Sequence, residues 1–462
     1  MGYKSKITLL CALGATTAAQ CAKPVKPNII IILADDMGWG DVGFNGGEIQ
    51  TPSIDELANK AAILDRFYTA PVSSPTRAGL LTGRYPNRFG IREVVIPPWR
   101  EDGLDANEQT IADMLGRNGY ENRAIIGKWH LGHTHAEHYP MSRGFTHFYG
   151  HLNGAIDYFD HTREGELDWH NDWESCYDEG YSTELITREA LRCIDEYQKD
   201  GPFFIYIPYN APHSPFQAQE SDIAIYTDDF DSLSKREKQE VTYKAMVTCM
   251  DRGIGQIIDK LEADGLMENT FLLFFSDNGA VPNQSLSTSS GDYRGKKFTE
   301  WDGGVRSPTL LHWPAASESY KNIESQLSGF VDVMPTLKEL VGDKSKPKNE
   351  FDGVSLMPIL SGKKSSIKRD FYLGCGAVVS EGYKLIRPDF NSRMKLKQNY
   401  LVDYANDPYE ANDASQGNEK EVARLLKVAI KYDTITPSIP ERPYDEGKKG
   451  FVAPKEWRVT KQ

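Results

Sequence analysis

Residues 28–33, Asn-Ile-Ile-Ile-Ile-Leu, form an unbroken apolar run that leads, after Ala34, into two adjacent carboxylates, Asp35 and Asp36. A strand without polar alternation is buried on both faces, the condition of a parallel strand inside a sheet covered by helices on either side. Further stretches that read as strands follow at 120–126, 203–207, 271–275 and 309–313. Between them lie stretches with helical spacing at 52–62, 110–117, 182–198 and 237–262. The first has Thr51 as candidate cap and Pro52 at its opening position. This alternation predicts an α/β fold: a large doubly wound mixed sheet sandwiched by helices, with functional groups at the carboxyl ends of its strands.

Near residue 346 the character changes. A basic, proline-containing joint (344–348) precedes short strand-like pieces at 371–373, 384–386 and 400–403, then a helix over 419–431. The expected organisation is an export signal at 1–20, a catalytic α/β domain at 25–345, and a small α+β subdomain with an antiparallel sheet at 346–462. Its tail from Thr434 has little to bury and wraps the surface. The signal rests on Lys4 and Lys6, the apolar stretch 7–13, and the small residues Ala15, Ala18 and Ala19. That stretch is too short to span a membrane, and no transmembrane segment is found elsewhere. Cys21, after Ala18-Ala19-Gln20, leaves a lipid anchor open beside a freely exported chain.

The 53 basic against 66 acidic side chains give a net charge of −13, which argues against a nucleic-acid partner. An anionic substrate is still allowed, because a few cations converging in one pocket outweigh a global field. The six cysteines include no C-x-x-C pair, so no zinc or redox motif is present, and their pairing is left open. Cys249 falls in a helical stripe with Met246, Met250, Ile254, Ile257, Ile258 and Leu261, the setting of a buried thiol.

Several polar blocks follow or border these strands. Asp35-Asp36 and Asp277-Asn278 together supply three carboxylates and an amide oxygen, a hard donor set that favours Ca²⁺, or Mg²⁺, over zinc. Residues 127–132 (Gly-Lys-Trp-His-Leu-Gly), 210–215 (Asn-Ala-Pro-His-Ser-Pro) and 293–304 add Lys128, His130, His213, Lys296 and Lys297. Taken singly, each reads as a satisfied histidine or a snorkelling lysine. Residues 73–83, Ser-Ser-Pro-Thr-Arg-Ala-Gly-Leu-Leu-Thr-Gly, open a helix with Pro75 in its first turn, placing Ser73 where a helix start favours an anion. A bare serine is a weak nucleophile and needs activation.

The run 73–83 resembles the signature C/S-x-P-x-R-x-x-x-L-T-G of the type I sulfatases of the alkaline phosphatase superfamily. Thr76 stands where that family usually has serine. With the other blocks, the resemblance extends from residue 28 to about 310. It implies that Ser73 is oxidised to formylglycine by a maturase acting on 73–83. It also implies that Asp35, Asp36, Asp277, Asn278 and the modified Ser73 hold Ca²⁺, and that Arg77 steadies the formylglycine. Lys128 and Lys297 would grip the sulfate, with Lys296 the competing neighbour. His213 would protonate the leaving sugar oxygen and His130 act as base. The implied activity is hydrolysis of a sulfuric ester of a carbohydrate.

Serine at the first position resembles the bacterial form of the motif, which with the signal implies an exported, periplasmic or cell-surface enzyme. Residues 150–161 resemble the corresponding region of N-acetylgalactosamine-4-sulfatases, so the expected substrate is a galactose or N-acetylgalactosamine sulfate. Trp99-Arg100-Glu101, His161 and Trp169-His170 are candidate sugar contacts, or packing. Two alternatives stand beside this reading: a two-zinc phosphatase or phosphodiesterase of the same superfamily, and an unconverted, non-catalytic binder of sulfated glycans. The run His130, His133, His135, His138 is read as a solvated loop with His130 alone functional, rather than as a zinc site.

Overall fold

The computed structural model describes residues 26–459 except 93, 283–288, 317–319, 322, 375 and 389–391. The expected signal at 1–20, Cys21 and Cys375 lie outside the described residues.

Nine strands form one mixed sheet: β1 (Asn28–Ala34), β2 (Ala62–Ile63), β3 (Asn122–Lys128), β4 (His147–His151), β5 (His170–Asn171), β6 (Glu174–Ser175), β7 (Phe203–Pro208), β8 (Thr270–Ser276) and β9 (Leu310–His312). Their order is β2-β9-β8-β1-β7-β3-β4-β5-β6. The inner five run parallel, and antiparallel strands flank them on both sides. The pleat divides the apolar run of β1 between two cores. Ile29, Ile31 and Leu33 join Phe204, Tyr206, Leu273 and Phe275, whereas Ile30, Ile32 and Ala34 join Ile205, Ile207, Leu272 and Phe274.

The main helices are α1 (Pro52–Lys60), α2 (Ser73–Thr82), α3 (Ile111–Arg117), α4 (Ser182–Tyr197), α5 (Lys235–Ala263), α6 (Val333–Leu340) and α7 (Glu419–Asp433). Helices α2, α3 and α6 cover the first core and α1, α4 and α5 the second. Capping boxes start α3 (Thr110 with Asp113) and α5 (Ser234 with Glu237). Thr51 does not cap α1; its hydroxyl accepts from the Gly43 amide at 2.8 Å. Cys249 is buried in α5, as its stripe implies, and Cys176, Cys193 and Cys249 are free thiols.

A separate four-stranded antiparallel sheet follows: β10 (Phe371–Tyr372), β11 (Ala377–Val379), β12 (Tyr383–Ile386) and β13 (Tyr400–Asp403). Its Phe371, Val378, Leu385 and Leu401 extend the first core of the large sheet. The chain beyond α7 is largely exposed, and it is anchored near its end by one buried residue. Trp457 is fully buried, its ring edge-on to His133 with centroids 5.2 Å apart. Among the described residues, no helix is long and apolar enough to cross a membrane.

Candidate active site

Asp35 and Asp36 leave the end of β1, and Asp277-Asn278 leave the end of its parallel neighbour β8, so the two acidic blocks lie side by side. Asp36 adopts a left-handed conformation (φ 70°), which a short polar side chain tolerates. The Asp36 amide donates to Asp277 Oδ1 at 3.2 Å, and Asn278 Nδ2 donates to Asp36 Oδ1 at 2.8 Å. Asn278 Oδ1 is buried with no hydrogen-bond partner.

Ser73 is the first residue of α2, and its Oγ donates to Asp35 Oδ1 at 3.2 Å. One turn on, Arg77 is fully buried. Its Nε and Nη2 both donate to Asp277 Oδ2, at 3.1 and 2.8 Å, and its Nη1 donates to the Lys128 carbonyl at 3.2 Å. Lys128, the last residue of β3, places its Nζ 2.5 Å from Asp35 Oδ2. Lys297 places its Nζ 2.5 Å from Asp36 Oδ1, while Lys296 feels the charge of Asp41 instead. His213 Nε2 lies 3.5 Å from Asp36 Oδ2. His130, in a left-handed conformation (φ 58°), presents a buried Nδ1 with no partner. Gly154 supports its ring, since a Cβ there would sit 2.4 Å from His130 Nε2.

Every expected site residue thus converges on one cluster or its rim. Three carboxylates (Asp35, Asp36, Asp277) meet three cations (Arg77, Lys128, Lys297). Burial lifts the Asp35 carboxyl to about 7 despite Lys128, and burial depresses the Lys128 ammonium to about 8 despite Asp35. Burial also opposes the charge on Asp277, but Arg77 outweighs it and holds this carboxyl well below the usual range. Lys297 likewise lowers Asp36 against the effect of its burial. Burial keeps both His130 and His213 below the ordinary imidazole range, so each is neutral near pH 7.

Asp35, Asp36 and His213 bring ligand atoms within 4.8 Å of one another. With the orphaned Asn278 oxygen and Asp277 beside them, the cluster offers a set dominated by hard oxygen donors. That set fits a divalent cation such as Ca²⁺ or Mg²⁺. The ammonium groups of Lys128 and Lys297 now touch the same oxygens.

The cluster floors a cleft of about 960 Å³ reached by Ser73, His130, His213 and Lys297. Two supports were not among the expected site residues, although Tyr158 lies in the block 150–161. Tyr158 Oη donates to the carbonyls of Asn210 and His213, at 2.6 and 2.7 Å, fixing the His213 loop. The buried Asp168 accepts from the amides of Leu152 and Asn153, both at 2.9 Å, and so fixes the loop beneath His130.

Several expectations are corrected. His133 and His138 are buried rather than solvated: His133 Nε2 bonds the Pro98 carbonyl at 3.0 Å, and His138 packs under Gly103 and Gly132. Among the described residues, the histidine run forms no metal-holding group. Trp169 is buried between His151 and His161, and Trp99 packs edge-on to Tyr444, so these aromatics are packing rather than cleft lining.

Comparison with known proteins places this geometry. The profile of the family described as Sulfatase matches residues 27–343. Mouse N-acetylgalactosamine-6-sulfatase is 33% identical over 378 residues, covering 76% of this chain and 69% of that protein. Mouse arylsulfatase J is 32% identical over 353 residues, covering 74% of this chain; the match spans 57% of the relative's length. The crystal structure of Ps i-CgsB superposes with a TM-score of 0.78 at 29% identity, covering 92% of this chain and 96% of that one. Ps i-CgsB has also been solved in complex with k-i-k-neocarrahexaose.

Proposed function

The chain belongs to the sulfatase family of sulfuric ester hydrolases, and we propose that it removes sulfate from a sulfated carbohydrate, a galactose or N-acetylgalactosamine sulfate of a host or algal glycan. Support for the sugar comes from two similar proteins, one named for N-acetylgalactosamine 6-sulfate and one solved with a neocarrahexaose. The export signal read at 1–20 supports action in the periplasm or at the cell surface of a bacterium.

Sulfatases generally use a formylglycine and a divalent metal. We assign the first to Ser73, after oxidation by a maturase, and the second, as Ca²⁺, to Asp35, Asp36, Asp277 and Asn278. The hydrated aldehyde supplies a hydroxyl nucleophile, and the cation supplies the charge that favours its ionised form. The remaining work falls to side chains of this chain. Arg77, locked on Asp277, holds the start of α2 against the acidic loops. Lys128 and Lys297 exchange a carboxylate contact for the oxygens of a bound sulfate and offset charge as it builds. His213, at the cleft edge, is the residue assigned to protonate the departing sugar oxygen, for which it must first gain a proton, because burial favours its neutral form. His130, neutral and with a free Nδ1, is the base.

The observation that carries this reading is the convergence of three carboxylates, an unpartnered amide oxygen and three cations on the one serine at the head of α2. It also speaks against a two-zinc phosphatase. The second acidic block offers Asn278 where a second zinc needs an imidazole. The test is release of sulfate from 4- and 6-sulfated galactose and N-acetylgalactosamine by protein co-expressed with a maturase. Turnover should vanish in Ser73→Ala and fall about 10²–10⁴-fold in His213→Ala. A matured protein that releases no sulfate from any sulfated sugar contradicts the proposal, and one that binds these sugars without turnover supports the non-catalytic alternative.

A further inference from the structure

Arg163 reaches the cleft that holds Ser73, His213 and Lys297. It sits in a two-stranded hairpin, Thr162–Arg163 paired with Glu166–Leu167, closed by Glu164 and Gly165 in left-handed conformations. Its Nε is buried and makes no hydrogen bond, and its ion pair is a 3.5 Å contact to the part-exposed Glu164. A buried donor left unmatched is unfavourable and calls for a partner.

The chain nevertheless fixes the backbone at this arginine. Trp457, the fully buried residue of the C-terminal tail, donates its indole N–H to the Arg163 carbonyl at 2.9 Å. The next amide back, Glu456 N, donates to Glu166 Oε2 at 3.0 Å. Farther up the tail, Trp99 Nε1 donates to the Tyr444 carbonyl at 2.6 Å and Arg100 Nη1 to the Arg442 carbonyl at 3.0 Å. The tail therefore crosses the rim of the cleft pinned at both ends. Its Asp445, which also lines the cleft, is offset by Lys448 at 3.2 Å. A second guanidinium, Arg393, enters the same cleft stacked 4.1 Å over Phe298.

We propose that Arg163, held in place by the C-terminal tail, forms a second anion subsite that selects glycans bearing another acidic group, a carboxylate or a second sulfate, near the ester that is cleaved. A guanidinium with an unmatched donor, carried on a backbone held in place, is suited to planar or tetrahedral oxyanions. Arg163 lies within the residues matched by the family profile, 27–343, whereas the tail that holds its backbone lies beyond them. The inference rests on the sulfatase reading above.

The experiment compares kcat/KM of the matured enzyme on three oligosaccharides: monosulfated neutral, disulfated, and monosulfated with a uronate. Arg163→Gln should lower the ratio of doubly acidic to singly acidic substrate about 10–100-fold, mainly through KM. Loss on the disulfated or the uronate sugar alone identifies the group that is read. Trp457→Ala should shift the ratio in the same direction, and an unchanged ratio there overturns the role of the tail. Calorimetric binding of the same sugars to unmatured protein reports the subsite even if no turnover occurs. An Arg163→Gln ratio and binding preference within about twofold of the parent overturn the proposal, while sulfate release by the parent still stands for the sulfatase reading.

Discussion

Asn278 and Arg77 show how much rests on single side chains. The buried Asn278 oxygen has no partner within the protein, and its neighbours are carboxylates in contact with lysines. Adding Ca²⁺ to chelator-treated protein should therefore raise Tm. The gain is worth about 2.7 kcal/mol at a hundredfold excess over Kd. Asn278→Leu, which removes the oxygen at similar size, should abolish most of that shift; an equal shift in both proteins contradicts the assignment of this ligand. Arg77→Ala would strand Asp277 in the interior. It should destabilise the fold by about 3–5 kcal/mol in urea titrations, with Arg77→Lys intermediate because one donor replaces a fork. Asn278 was legible in the sequence because its block follows an apolar strand, and Arg77 through the resemblance of 73–83 to the sulfatase signature. Their pairings were not, because Lys128 meets Asp35 across 93 residues and Arg77 meets Asp277 across 200. The burial of His133 and His138 was also illegible, since it depends on distant Trp457 and Gly103.

Helix α2 delivers Ser73 and Arg77 together and is seated by close contact rather than by a cap. A Cβ on Gly79 would lie 2.1 Å from the ring of Phe330. Gly79→Ala should therefore cost about 1–3 kcal/mol of stability despite the better helix propensity of alanine. It should lower kcat as well, by displacing the helix start; a more stable Gly79→Ala would show that α2 is not held here. Continuous apolar runs made β1, β7 and β8 readable to within a few residues, and helical spacing did so for the long helices α4 and α5. Strand β3 runs on to Lys128 because it pairs with β4, Lys128 opposite His151, and β4 (His-Phe-Tyr-Gly-His) carries no alternation that marks a strand. The two-residue β2 owes its existence to a partner far away in sequence, Ala62 opposite Leu311, and left no local signal.

Over the whole molecule, the small antiparallel sheet is bolted to the large one by a buried trio. Lys384 Nζ lies 2.8 Å from both Asp302 Oδ1 and Glu410 Oε1, and all three are shut off from solvent. Lys384→Met leaves two buried carboxylates facing each other. It should destabilise the protein by about 3–5 kcal/mol, read as a lower urea midpoint. Stability should also depend on pH through His147, bonded to Asp172 at 2.8 Å and Glu189 at 2.7 Å. Burial opposes its charge, but these carboxylates outweigh burial and raise its pKa from 6.5 to about 11. The contribution is therefore complete below pH 6.5 and fades as pH rises towards 11. His147→Gln should flatten the alkaline fall in urea midpoint between those limits; an unaltered slope contradicts the pairing. Peptide mass spectrometry across residues 73–83, on protein from its native cell, should find Ser73 lighter by two hydrogens, the mark of formylglycine. An unmodified serine there would contradict the assignment of Ser73 as the source of the nucleophile.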